Sequence, residues 1–176
     1  MREDVRRLMV MRHAKAEPVA ASDHARRLVE RGRQDAAEAG QWARAQGVLP
    51  DHAFVSTAAR AHETWMSFSS GAALDLEPEL DAGLYSAGPD SALEVLRSAP
   101  PSAATVMVVG HNPTMAHLVH LLDDGRAEPT AFAQIGAGFP TSAVAVLEVA
   151  GDWADLEVAA ARIALVHIGR SGSARD

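Results

Sequence analysis

The sequence predicts an α/β fold, a three-layer α/β/α arrangement around a mostly parallel central sheet. Three observations carry this. Continuous apolar runs, Leu8-Met9-Val10-Met11 and Thr105-Val106-Met107-Val108-Val109, lack polar alternation and read as strands covered on both faces. Helical patterns or loops follow the strand-like runs, the connection that parallel strands need. Three runs end in basic or polar residues, Arg12-His13, Ser56-Thr57 and Gly110-His111. Charged groups there must leave the core at the carboxyl edge of the sheet, where open α/β folds place their ligands.

The bulk numbers agree. A chain of 176 residues is most simply one domain, expected over residues 1–168 with a disordered tail over 169–176. At that size roughly 70% of the unfolded surface is buried. A 48% hydrophobic and 22% charged composition is ordinary for a soluble globular protein. The net charge of -7 argues against a nucleic-acid or acidic-membrane binder, while leaving room for a small cationic pocket. Zero Cys removes disulfides, thiolate metal sites and cysteine catalysis together. The mixed-charge start is followed by only four apolar residues, too few for a signal-peptide core or a membrane span, so a cytoplasmic location is expected.

In chain order, Leu8 to Arg12 is the first strand, and Ala14 to Ser22 is a loop leaving the sheet edge. Asp23 is expected to cap a long helix reaching Gln46, with Ala25, Leu28, Val29, Gly32, Ala36, Ala39 and Ala43 facing inward. Ala53-Phe54-Val55 is a second strand. The helix after it carries Arg60, His62 and Glu63, with Trp65, Met66 and Phe68 towards the core. Ala73 to Leu76 is expected to be a short third strand. Glu77 to Gly88 reads as a loop long enough to cover a site. Pro89 opens a helix to Ser98. Thr105 to Val109 is the central parallel strand, and a helix runs from Thr114 to Leu122. Glu128 to Pro140 reads as irregular. Ser142 to Val149 and Ala161 to Ile168 are the last strands, the final one antiparallel at the edge.

Residues distant in sequence converge at the shared carboxyl edge. Arg12, Arg60, His13 and His111 together make a strongly cationic pocket in an acidic protein. Guanidinium forks match phosphate oxygens bidentately. The helix after Asn112-Pro113 offers first-turn amides as a further anion site. Read singly, Arg12-His13 is a solvated strand end, Arg60 a surface residue and His111 a turn residue. The conjunction makes the case. His117, His120 and His167 invite a metal reading beside His111, but no HExxH pattern is present, and neither metal nor cofactor is expected.

Arg12-His13 after a strand, Ser56-Thr57-Ala58-Ala59-Arg60-Ala61-His62-Glu63-Thr64, and Gly110-His111-Asn112-Pro113 resemble the three signatures of the histidine phosphatase superfamily. Chain size, Asp23-His24-Ala25-Arg26-Arg27-Leu28 followed by Gly32, and Phe139-Pro140-Thr141-Ser142-Ala143 resemble its SixA-like branch, the phosphohistidine phosphatases. The resemblance runs to about Val149 and implies a phosphoglycerate-mutase-like fold. It implies that His13 attacks phosphorus, and that Arg12, Arg60 and His111 hold the oxygens without a metal. It also implies a glutamate general acid, for which Glu79 fits best, with Asp81 as rival. Asn112 and Arg26 are the further expected substrate contacts. Ala14 stands where the family commonly has glycine, and Thr57 where it has proline.

The implied function is removal of phosphate from phosphohistidine in a protein such as a phosphorelay domain. The alternatives are a phosphatase of small phosphate monoesters and a non-catalytic phosphate- or phosphoprotein-binding module. Oligomeric state is not legible.

Overall fold

A computed structural model describes residues 5–169. The expected tail therefore lies outside the described residues apart from Gly169. Six strands form one sheet in the order β3-β2-β4-β1-β5-β6. They are β1 (Arg6–Arg12), β2 (His52–Ser56), β3 (Glu79–Asp81), β4 (Thr105–Gly110), β5 (Val144–Val149) and β6 (Ala161–His167). The four strands β3-β2-β4-β1 are parallel. β5 runs antiparallel to β1, and β6 antiparallel to β5 at the edge. Five α-helices accompany the sheet: α1 (Glu30–Ala45), α2 (Ala59–Gly71), α3 (Pro89–Arg97), α4 (Thr114–Leu122) and α5 (Pro129–Gly136).

Alternation along the strands sorts the core into two apolar layers. Leu8, Val10, Phe54, Val106, Val108, Ala145 and Leu147 face α3, α4 and α5. Met9, Met11, Ala53, Val55, Met107, Val109 and Val146 face α1 and α2. Both faces of β1 and β4 are covered, which is why those runs carry no polar alternation. Among the described residues, no helix is long and apolar enough to cross a membrane.

The structure differs from expectation at four places, each for a physical reason. The first long helix begins at Glu30, not Asp23. The preceding residues are drawn into extended contacts instead: Ala16 and Leu28 form a bridge, and the Leu28 amide donates to Glu63. Met66 is 56% exposed rather than inward. The buried face of α2 runs through Arg60, Ala61, Thr64, Trp65 and Phe68. Ala73 to Leu76 forms no strand, because Ala73 takes a positive φ of 49° and Leu74 donates back to Ser69, closing the helix. The third strand comes later, at Glu79–Asp81. Finally, the Gly-rich stretch after Glu128 contains α5. Pro129 starts it, and Ala131 and Ile135, four residues apart, bury against the core.

Candidate active site

The parallel ladder between β1 and β4 brings the two histidines together. Arg12 lies opposite Gly110, and the His13 amide donates to the Gly110 carbonyl at 2.9 Å. His13 and His111 are therefore neighbours across adjacent strand ends, with ring centroids 5.2 Å apart and planes inclined by 54°. His13 is only 9% exposed. Its Nδ1 lies 2.8 Å from the Ala14 carbonyl. A carbonyl only accepts, so Nδ1 carries the proton and Nε2 keeps a lone pair. The Ala14 amide donates to Thr64 Oγ1, and that hydroxyl donates to the Arg60 carbonyl. The loop after His13 and the first turn of α2 thus share one buried hydroxyl. Burial foremost, with the nearby charges of Arg60 and Arg12 adding to it, pushes His13 down to a pKa of about 3.

His111 keeps its ring proton on the same nitrogen, but that nitrogen is the one left open. Ser56 Oγ accepts from the Ala58 amide and lies 2.8 Å from His111 Nε2. If the hydroxyl donates its own proton there, neutral His111 carries its ring proton on Nδ1. Burial first and then the charge of Arg60 bring His111 to about 4. Its Nδ1 is buried and has no hydrogen-bond partner among the described residues, and the same holds for Arg12 Nε and Arg60 Nε. Orphaned buried donors are uncommon in folded proteins and call for a reason. Here the three belong to the three residues that surround His13 in the expected pocket.

Arg60, buried in the first turn of α2, gives one guanidinium nitrogen to the Asp23 carbonyl at 2.8 Å and the other to its carboxylate at 3.1 Å. Arg12 donates to the Phe139 carbonyl at 3.3 Å. Asn112 donates to the same carbonyl at 2.8 Å, and its own oxygen accepts from the Ala116 amide. Arg26 holds Asp23 at 3.0 Å and the Glu17 carbonyl at 2.9 Å.

Two residues stand out that the sequence had not marked for the site. Asp23, expected to cap a helix within the SixA-like segment, bridges Arg60, Arg26 and Tyr85. Tyr85 is the only tyrosine of the chain and lies in the loop expected to cover a site. It packs edge-on against His111 and His24.

The expected acids have other partners. Glu79 pairs in register with Phe54, two residues short of the strand end at Ser56, and its carboxylate is 3.3 Å from His52 Nε2. Asp81 accepts from the amides of Gly83 and Leu84 and caps the short turn after β3. Two of the helix amides expected to bind an anion are engaged within the chain: Met115 donates to the His111 carbonyl and Ala116 to Asn112. Among the described residues, no three His, Cys, Asp or Glu side chains gather as metal ligands would. A cavity of about 790 Å³ lies away from this edge, lined by Arg6, Arg126 and Arg162. Those arginines are paired with Asp152, Asp124, Glu128 and Glu148.

A mostly parallel six-stranded α/β sheet, with two arginines and two histidines gathered at its carboxyl edge, has the phosphoglycerate-mutase-like fold. No family model matches the chain. An uncharacterized protein of Mycobacterium tuberculosis is 38% identical over 162 residues, covering 91% of this chain and all of that one. A candidate phosphohistidine phosphatase SixA from Nakamurella multipartitia is 33% identical with a TM-score of 0.83, over 94% of this chain and 97% of that one. The protein histidine phosphatase SixA complexed with tungstate is 26% identical with a TM-score of 0.66, over 81% and 88% of the two chains. The chain belongs to the histidine phosphatase superfamily, and SixA-like proteins are among its structural neighbours.

Proposed function

We propose that the protein is a metal-independent phosphohistidine phosphatase, acting in the cytoplasm on a phosphorylated histidine of a protein such as a phosphorelay domain. The observation that carries this is the set of three unpartnered buried donors, on Arg12, Arg60 and His111, around a histidine whose Nε2 is a free lone pair. A tetrahedral oxyanion supplies the acceptors they lack. The tungstate complex of the related SixA supports the same reading, since tungstate is a tetrahedral oxyanion.

In this mechanism Nε2 of His13 attacks phosphorus, the bond to the leaving nitrogen breaks, and a phosphohistidine forms on His13. Arg12, Arg60 and the Nδ1–H of His111 hold the equatorial oxygens, where charge sits during transfer. Water then displaces His13 from phosphorus and releases inorganic phosphate. The acids favour a phosphoramidate over an ester. Glu79 is beside His52, Asp81 caps a turn, and the hydrogen bond from Tyr85, with the Arg60 pair, holds Asp23 ionised at about 2. None of the three is set to protonate an alkoxide, whereas a leaving imidazole asks much less of an acid.

Trapping with a labelled phosphohistidine protein tests this. Acid-labile, base-stable label on His13, and no phosphate release by His13→Ala, are the expected results. Label elsewhere, or turnover surviving His13→Ala, overturns the proposal.

A further inference from the structure

We propose that Asp23 and Tyr85 are positioning residues for Arg60, a strut that fixes the guanidinium so that its Nε–H edge is left for the oxyanion. This rests on the reading of Arg60 as an oxyanion holder. Arginine is long and flexible, and a fork that must meet an oxyanion in one orientation benefits from being held beforehand. Asp23 occupies both terminal nitrogens of Arg60, one through its carbonyl at 2.8 Å and one through its carboxylate at 3.1 Å. Only the Nε–H is left buried without a partner.

Asp23 could not do this unaided. Its side chain is 57% exposed and sits in the non-helical stretch before α1. Tyr85 supplies the rigidity. Its hydroxyl donates to the same carboxylate oxygen at 2.5 Å. Its ring stands edge-on to His111 at 5.6 Å and to His24 at 4.9 Å, and the Arg60 guanidinium carbon lies 5.9 Å from its centroid. His24 is anchored in turn, 3.1 Å from Thr57 Oγ1. Arg26 grips the second carboxylate oxygen at 3.0 Å. Two chain segments, from the loop after β1 and the turn after β3, therefore meet over Arg60. A carboxylate this close to a phosphate site repels the ligand. Its placement makes sense when orientation of Arg60 outweighs that repulsion.

The experiment measures tungstate affinity by calorimetry, and kcat/KM on phosphohistidine across pH, for Asp23→Ala, Tyr85→Phe, Arg60→Ala and the double variants with Arg60→Ala. Groups that act through one another give non-additive cycles. The expected result is that Asp23→Ala weakens tungstate binding by about tenfold in the wild-type background and by less than about twofold when Arg60 is already alanine. Tyr85→Phe, which keeps the ring and the fold, shows the same pattern with a smaller loss. The pH profile keeps its shape in both single variants.

Equal losses in both backgrounds, no loss, or tighter binding in Asp23→Ala overturn the proposal. Disappearance of a pH limb in Asp23→Ala also overturns it, because Asp23 would then be transferring a proton. If Arg60→Ala itself leaves tungstate affinity intact, the reading of Arg60 as an oxyanion holder falls and the strut with it. Weakened binding in Arg60→Ala with an inert Asp23→Ala sinks the strut alone.

Discussion

His13 and His111 hold their ring protons on the same nitrogen for opposite ends. In His13 the Nδ1–H is spent on the Ala14 carbonyl, which frees the Nε2 lone pair for the proposed attack. In His111 the Ser56 hydroxyl occupies Nε2, which leaves Nδ1–H as a donor. Both rings are held neutral: His13 at about 3 and His111 at about 4, against 6.5 for an ordinary histidine. A histidine depressed in the folded state binds fewer protons there than in the unfolded chain. Its stabilising contribution is complete above pH 6.5 and is lost as pH falls through the folded pKa. The unliganded protein should therefore lose stability between pH 6.5 and 4, at about 1.4 kcal/mol per pH unit for each ring. Denaturant midpoints measured across this window check it, and His111→Asn should shallow the slope. A second expectation concerns Glu79. Its carboxylate is beside His52, so Glu79→Gln should leave kcat/KM on a phosphohistidine substrate within about twofold, since surface pairs of this kind contribute little. A larger loss in steady-state assays would return Glu79 to the chemistry.

At the scale of elements, close approach of backbones sets the frame. A Cβ on Gly32 of α1 would come within 2.2 Å of the Lys15 carbonyl, in the loop that follows His13. On Gly40 it would meet the Phe68 carbonyl at 2.1 Å, and on Gly71 the Ala37 carbonyl at 2.1 Å. Backbone atoms cannot swing aside as a side chain would. Gly40→Ala and Gly71→Ala should each cost about 1–3 kcal/mol in equilibrium unfolding by prying α1 from α2. Gly32→Ala should cost as much and also lower kcat, because Lys15 is two residues from His13. Elements with sustained patterns were legible in advance. Thr105–Gly110, Thr114–Leu122 and Ala161–His167 lie within one or two residues of expectation. Those that missed depend on distant partners. The start of α1 is set by Glu63 reaching the Leu28 amide, and β3 by pairing with Phe54 to Ser56. Local propensity carries no trace of either.

Across the whole molecule, an acidic chain concentrates two guanidiniums at one sheet edge. Positive charge already placed beside the proposed phosphate site would repel a divalent cation and does the electrostatic work one would do. Prolonged dialysis against a chelator should therefore leave phosphate release within about twofold of the untreated protein, whereas tungstate should inhibit competitively; initial-rate assays distinguish these. Loss of activity restored by a divalent metal would contradict the proposed mechanism.

The amino-acid order alone determined which runs become buried strands, because apolar patterning is a local property of the chain. It also determined that Arg12-His13, Arg60 and His111 end up near one another, because parallel strands share an edge. Only the tertiary structure decided which ring nitrogen of each histidine is free, that Glu79 meets His52, and that Asp23 and Tyr85 close over Arg60. Apart from the bond between His13 and its neighbour Ala14, those outcomes are distances of a few ångströms between groups tens of residues apart, set by packing of the finished core and invisible to spacing along the chain.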